Sequence, residues 1–402
     1  MPAFARAASR WPYAIAFLAV VDLFIYFLLS GHLFAPYQID YSEGWNAMRQ
    51  SYAARHVPLY GAPPHFDVTN YPPLSFHLVA LVSGIAGWSV NFTGRLLSLG
   101  GMCVQALLAG ALVDRLTRHR AAAHCTVALY LLVIALWAPV RIAENDPQPI
   151  GMALEMLGFW LALGDEGQGK RFLASAPLFA LAVFFKPNLI GMALGVGGSL
   201  VWARSWRQLV LWCLIGLTCA AALYGATVHV DGPYFLKHLL WPRDYIFADV
   251  RRLTGAYLRS WLVFVCIGAC WLLGPRLTMA ERALALAWVA AHGLAIALAG
   301  GDGVAENIFL ETLWLDCIVA VVALTRLDAL VPARHRRKAV MALVVLCLLP
   351  FRLAPPLVAQ ALVDRAASAE RADDYARGVA EIRGGPGKAV CENLLLCAEA
   401  GK

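Results

Sequence analysis

The sequence predicts an all-α polytopic membrane protein, a bundle of about eleven transmembrane helices with juxtamembrane helices along its outer face. Three observations carry this. Of the 402 residues, 60% are hydrophobic and only 15% charged, whereas soluble globular chains are nearer half apolar and a quarter charged. Mean hydropathy is +0.63. Several apolar runs reach about 18–22 residues, the length that crosses roughly 30 Å of hydrocarbon. The net charge of +7 is therefore no nucleic-acid signal, because the placement of basic residues relative to the spans matters more than their sum.

The first span covers about 11–33 and follows Arg6 and Arg10, which places the N-terminus in the cytoplasm and residues 38–73 outside. Its start resembles a secretory signal. Its length, the want of a small-residue cleavage site and the spans that follow make it an uncleaved first helix instead. Later spans fall at about 93–113, 122–140, 148–164, 207–228, 258–274, 281–300, 306–325 and 339–356. Basic loops at 114–120 (DRLTRHR), 169–171, 204–207, 275–282 and 334–338 (RHRRK) are drawn to the cytoplasmic side. An odd number of crossings must then separate the outer loop from Arg115. The run 74–90, broken by His77, Ser83, Gly84 and Gly87, is accordingly expected to lie in or dip into the outer interface. The run 172–203 has basic loops at both ends. Two short crossings therefore meet at an outward turn, Lys186-Pro187-Asn188, where proline removes a helix hydrogen bond.

This organisation gives a membrane domain over 1–356, with a first outer loop at about 34–92, and a short periplasmic segment over 357–402. That tail becomes charged and helical, turns at GGPG and ends in KAVCENLLLCAE, read as a short strand or helix. Most of the ten cysteines lie in or beside apolar spans, as small buried hydrophobes. Cys391 and Cys397 are the one candidate disulfide, given an oxidising compartment.

The stretch 38–73 is too rich for a connector. It holds Asp40, Glu43 and Asp67, two arginines, two histidines, four tyrosines and a Tyr-Pro-Pro corner at Tyr71. With the topology above, acidic residues from four loops gather on the outside, while Asp22, Glu155 and Asp316 fall within spans. Ionisable groups there avoid lipid and face a shared interior. Asp40 and Glu43, three apart, point to one side if the helix starts near Tyr41. As a pair they supply a general base or neutralise a cation; equally, they are acids favoured by a helix N-terminus. Arg141, Glu144 and Asp146 share a second, short outer loop, either as a local salt bridge or as part of a site. Lys186 either snorkels to headgroups or binds an anion. The loop 229–257 mixes Arg243 and other cations with aromatics, suited to the membrane surface or to a lipid phosphate. Asn307 and Glu311, four apart, are expected on one inward helix face. The chain has no Gly-rich phosphate loop, internal repeat or His/Cys cluster at metal-ligand spacing.

DYSEG before a helix, then PLYG, NYPPLSFHL and GRLLSL, Arg141 to Asp146 before a span, FFKPN, and GDGVAENIFLE together resemble the GT-C polyprenyl-phosphate-sugar-dependent glycosyltransferases. Within that superfamily they are similar to the bacterial members related to protein O-mannosyltransferases and the lipid A aminoarabinose transferase. The resemblance covers about 12–325. The acidic pair departs from it, being D-x-x-E here and adjacent Asp-Glu in many relatives. The resemblance implies a catalytic membrane domain that moves a sugar from a lipid-phosphate donor to an acceptor hydroxyl with inversion. Asp40 or Glu43 would be the base, with Lys186 and Arg243 on the phosphate. Arg141, Asp146, Asn307, Glu311 and Tyr71 would line the substrate cavity. It also implies the bacterial inner membrane, a periplasmic active site, and partners limited to the donor, membrane lipid and a glycan, lipid or protein acceptor. No cofactor is demanded; a divalent cation, Mg²⁺ or Mn²⁺, on outer carboxylates stays open.

The alternative from another class is a transporter or flippase of a lipid-linked saccharide. It would set charges near the midplane and show repeated halves or broken helices there. In this chain the charges gather at the outer ends and no repeat is visible.

Overall fold

A computed structural model describes residues 32–62, 68–164, 169–273, 277–330 and 354–402. The first expected span with Arg6, Arg10 and Asp22, the acidic Asp67, and the basic cluster 334–338 with most of the span after it lie outside the described residues. Among the described residues the regular elements are helices, plus one isolated antiparallel bridge between Tyr245 and Gly301.

Two helices build the first outer loop: α1 (Tyr41–Ala54) and α2 (Leu74–Ala86). The bundle follows as α3 (Val90–Thr117), α4 (Arg120–Trp137), α5 (Gln148–Ala162), α6 (Gly169–Phe185), α7 (Gly191–Trp202) and α8 (Trp206–Asp231). The short α9 (Phe235–Leu239) leads to α10 (Phe247–Leu272), α11 (Met279–Leu298) and α12 (Leu310–Leu330). The tail forms α13 (Ala354–Ala366), α14 (Ser368–Gly384) and α15 (Leu394–Ala400). Among the described residues, α3, α4, α8, α10, α11 and 306–326 are long and apolar enough to cross a membrane. The crossings expected at 148–164 and 172–203 are helices of 15, 17 and 12 residues, shorter than the roughly 20 residues a full crossing takes.

The core sits around α12, whose residues are buried on every side through Val322; a helix that is apolar all round belongs inside a bundle. Its Trp314 donates its indole N–H to Gln105 O of α3 at 2.9 Å. Close approach elsewhere depends on small residues, as in membrane bundles generally: at Gly195 of α7 a Cβ would sit 2.6 Å from Ala287 N of α11. By contrast α8 buries few residues and exposes apolar side chains such as Val210, Leu214 and Leu217, as a lipid-facing helix would. Two carboxyls within spans face inward. Asp316 accepts from Tyr257 Oη at 2.5 Å and Trp288 Nε1 at 2.6 Å, and Glu155 accepts the Met192 N–H at 3.2 Å.

Two expectations are corrected. First, most of the loop expected at 229–257 is helix: α8 runs to Asp231, α9 spans Phe235–Leu239 and α10 starts at Phe247. Leu253, Tyr257, Trp261 and Phe264 bury one stripe while Arg251, Arg252 and Arg259 project from the other side, so the charges do not stop the helix. Second, Asn307 and Glu311 do not share a helix face, because 306–309 is a 3₁₀ turn and the α-helix begins at Leu310. The tail, expected as a short outer segment carrying a candidate disulfide, packs against the first outer loop. Tyr375, Val379, Leu395 and Ala400 pack on Ala47 of α1, and Cys391 and Cys397 form a disulfide that closes α15.

Candidate active site

Asp40 is the N-cap of α1, with extended backbone, and not its first helical residue. Its Oδ1 accepts the Ser42 N–H at 3.1 Å and the Ser42 hydroxyl at 2.7 Å, as acidic N-caps do. Capping turns the Asp40 carboxylate outward while the helix carries Glu43 inward. Glu43 is wholly buried against Arg95 of α3, which is itself 1% exposed. Arg95 Nε and Nη2 donate to the two Glu43 oxygens at 2.8 and 2.7 Å. The same guanidinium also holds the carbonyls of His32, Ala35 and Tyr37. Glu43 takes two further backbone donors, Ile39 N at 2.7 Å and Asn145 N at 3.0 Å. This pair ties the entry to α1, the start of α3 and the second loop together. An arginine near the start of an apolar span needs such a partner, and that rule alone would have singled out Arg95.

The second loop, 141–147, is short yet buried throughout. It doubles back at Ala143, whose φ of +57° lies in the left-handed region, at a cost of about 1–2 kcal/mol for a non-glycine residue. Side chains of α1 and α3 hold the turn: Asn46 donates to Asn145 O at 2.6 Å, Gln50 and Asn145 exchange two bonds, and Asn145 reaches Asn91. Thus fixed, Arg141 bridges three carboxylates, Glu144 at 2.8 Å, Asp40 at 3.1 Å and Glu306 at 3.1 Å.

Lys186 stands in the turn between α6 and α7 and is 6% exposed. Its ammonium donates to Gln148 Oε1 at 2.8 Å, lies 3.5 Å from Asp146, and faces the Tyr71 ring at 5.3 Å. Asp146 in turn accepts the N–H of Gln148, the first residue of α5, at 2.6 Å.

These groups open onto one cavity of about 790 Å³. Asp40, Tyr71, Arg141, Asp146, Lys186, Arg243 and Asn307, all picked out from the sequence, line it. Arg243 is exposed, on the segment before α10 that is pinned by Ile246 N–H to Gly300 O at 2.7 Å and Asp302 N–H to Asp244 O at 2.9 Å. Glu43 and Glu311 are not on the wall. Glu311 points into the core against Gly191. Ser42 and Gln148, which also line the cavity, and Glu144 and Glu306, which bind its arginine, join the set.

Burial works to raise the Asp40 carboxyl, but Arg141 and the two Ser42 hydrogen bonds outweigh it and hold Asp40 below the ordinary aspartate value. Glu144 goes the other way. Complete burial, with Asp146 and Asp40 nearby, pushes it up to about 8 against the pull of Arg141. Opposed shifts in neighbouring carboxyls are how acid and base roles separate. The site's carboxylates are bridged by Arg141 and Lys186, and no three His, Cys, Asp or Glu groups converge for a metal among the described residues.

No family model matches the chain, and no curated protein matches it by sequence. Solved structures do. ArnT from Cupriavidus metallidurans bound to undecaprenyl phosphate is 13% identical with a TM-score of 0.63, over 96% of this chain and 84% of that one. The apo state of the same protein gives 14%, 0.62, 97% and 84%. The Archaeoglobus fulgidus oligosaccharyltransferase tethered to an acceptor peptide gives 14% and 0.51, over 94% of this chain but only 58% of that one. The likeness shows the fold alone: the chain is folded as an all-α multi-pass membrane bundle like those of these two proteins.

Proposed function

We propose that the protein is an integral membrane glycosyltransferase that moves a sugar from a polyprenyl-phosphate donor to an acceptor hydroxyl, with inversion and with Asp40 as base. The observation that carries this is the division of the acidic pair: Asp40 lines the cavity as an ionised carboxylate, while Glu43 has its oxygens occupied by Arg95 and two backbone donors. A lipid-phosphate donor is supported by Lys186 and Arg243 on the same cavity, and by the undecaprenyl phosphate bound to the similarly folded ArnT.

In this reading the acceptor O–H gives its proton to Asp40 as its oxygen attacks the anomeric carbon from the face opposite the phosphate. The bond from that carbon to the phosphate oxygen breaks, and its electron pair leaves on the polyprenyl phosphate. Lys186 and Arg243 counter the growing charge, and preorganised cations do this well in a site shielded from water. Basic turns at 115–120, 204–207 and Arg282 occupy the end of the bundle opposite the cavity. That charge bias supports a site on the non-cytoplasmic face, periplasmic in the bacterial inner membrane proposed here.

The test is transfer or hydrolysis from a synthetic polyprenyl-phosphate sugar by the protein in lipid. Release of the sugar at the anomeric bond, with inverted configuration in the product, supports the reading. Lipid binding or translocation without any cleavage would move it to transport of a lipid-linked saccharide.

A further inference from the structure

The hydroxyl of Ser42 lies 2.7 Å from Asp40 Oδ1 and within hydrogen-bonding distance of Glu144 Oε1. A serine hydroxyl carries one proton, so it can donate to one of these oxygens only. Two ionised carboxylates would leave the other contact without a proton between two electronegative oxygens. The three-oxygen chain therefore holds two protons, one of them on a carboxyl. Asp40 side-chain atoms are 28% exposed and Glu144 is 0%, and neutral forms go where water is excluded.

We propose that Glu144 is the neutral member of this chain, donating to Ser42 so that Ser42 donates to Asp40 and keeps Asp40 ionised for proton abstraction. This rests on the glycosyltransferase reading. Glu144 is then a positioning residue that never meets the substrate. The groups around it agree. Among the described residues, Asp40, Glu144, Asp146 and Glu306 are bonded to two cations, Arg141 and Lys186. The Glu43–Arg95 pair on the other side is closed on itself. One neutral carboxyl reduces the excess negative charge that an incoming lipid phosphate would meet. Glu144 Oε2 still accepts from Arg141 Nη1 at 2.9 Å when the proton is on Oε1. Burial that raises Glu144 to about 8 is consistent with this arrangement. In turnover the acceptor proton goes to Asp40, which returns it to water from its exposed side, and Glu144 keeps its own.

The chain is tested by Glu144→Gln, Glu144→Ala and Ser42→Ala in lipid, with turnover followed against pH and donor binding measured for each as the check of folding. The E144Q amide donates to Ser42 as the neutral acid does but cannot ionise. It should keep turnover within about fivefold, whereas E144A loses about tenfold or more. Wild-type turnover should fall about tenfold per pH unit above about 8, and in E144Q that alkaline limb should vanish. S42A should move the acid limb to higher pH, because Asp40 loses a donor. An E144Q protein that binds donor but is as inactive as E144A, or that keeps the alkaline limb, overturns the proposal. A readout independent of turnover is the infrared carboxylic-acid C=O band at neutral pH, taken as wild type minus E144Q. The band supports a protonated Glu144 even if no sugar is ever transferred; its absence overturns the proposal even if the enzyme reading stands.

Discussion

Glu43→Gln and Asp40→Asn make the same chemical change three residues apart, and the structure predicts opposite consequences. At Glu43 the carboxylate is fully buried and neutralises Arg95 through two bonds of 2.7–2.8 Å. A glutamine there keeps one acceptor and turns the other atom into a donor aimed at Arg95 or the Ile39 N–H. Breaking a buried ion pair from one side costs about 3–5 kcal/mol. At Asp40 an asparagine still caps α1, since Asn and Asp are equivalent N-caps. What it loses is a partly exposed contact to Arg141, about 1 kcal/mol or less after solvent screening. The gap between the variants is thus about 2–5 kcal/mol of stability, with the loss of turnover falling on the other residue. Thermal unfolding of both proteins in nanodiscs, beside donor binding and turnover of the folded fraction, reads all three quantities. If E43Q unfolds like wild type and is dead while D40N is active, the roles assigned to the two carboxylates are reversed and the reasoning fails.

Lys186→Met removes the buried cation from the phosphate end of the cavity. A charge-assisted hydrogen bond of about 1.5–3 kcal/mol corresponds to roughly 10–100-fold weaker donor binding, measured by titration with the unhydrolysed donor. The acid limb of kcat/KM should lie below the ordinary aspartate range: Asp40 must be ionised, its folded value is lowered, and activity therefore falls only as pH drops through that lowered value. A limb in the ordinary range or above would contradict this. Gly94→Ala puts a Cβ onto Asn145 Oδ1, so the second loop must shift. Turnover should drop by about tenfold or more with little change in lipid association, because a misplacement of about 1 Å at a site costs as much as 10²-fold.

Much of this was readable in the amino-acid pattern. Hydropathy and the basic loops outlined the bundle, and Asp40, Arg141, Asp146, Lys186, Arg243, Asn307 and Tyr71 come from five separate stretches yet meet at one cavity. Spacing failed where it assumed a continuous α-helix. Asp40 and Glu43 were read as one face, but Asp40 is the cap with extended backbone, so the three-residue rule does not apply to it. Asn307 and Glu311 diverge for a related reason, the change from 3₁₀ to α geometry at Leu310. Ser42 and Gln148 carry no signal as residue types; only their neighbours in space give them a role. The docking of α15 on α1 was hidden because the tail's apolar residues are few and find their partner some 350 residues earlier in the chain.

The most direct test of the account is a paired measurement on Asp40→Asn: binding of a synthetic polyprenyl-phosphate sugar, and transfer of that sugar, in the same lipid preparation. A general base contributes about 10²–10⁴-fold. The account predicts donor binding within a small factor of wild type and transfer reduced by at least that lower figure. Transfer at the wild-type rate with Asp40 neutralised would contradict it.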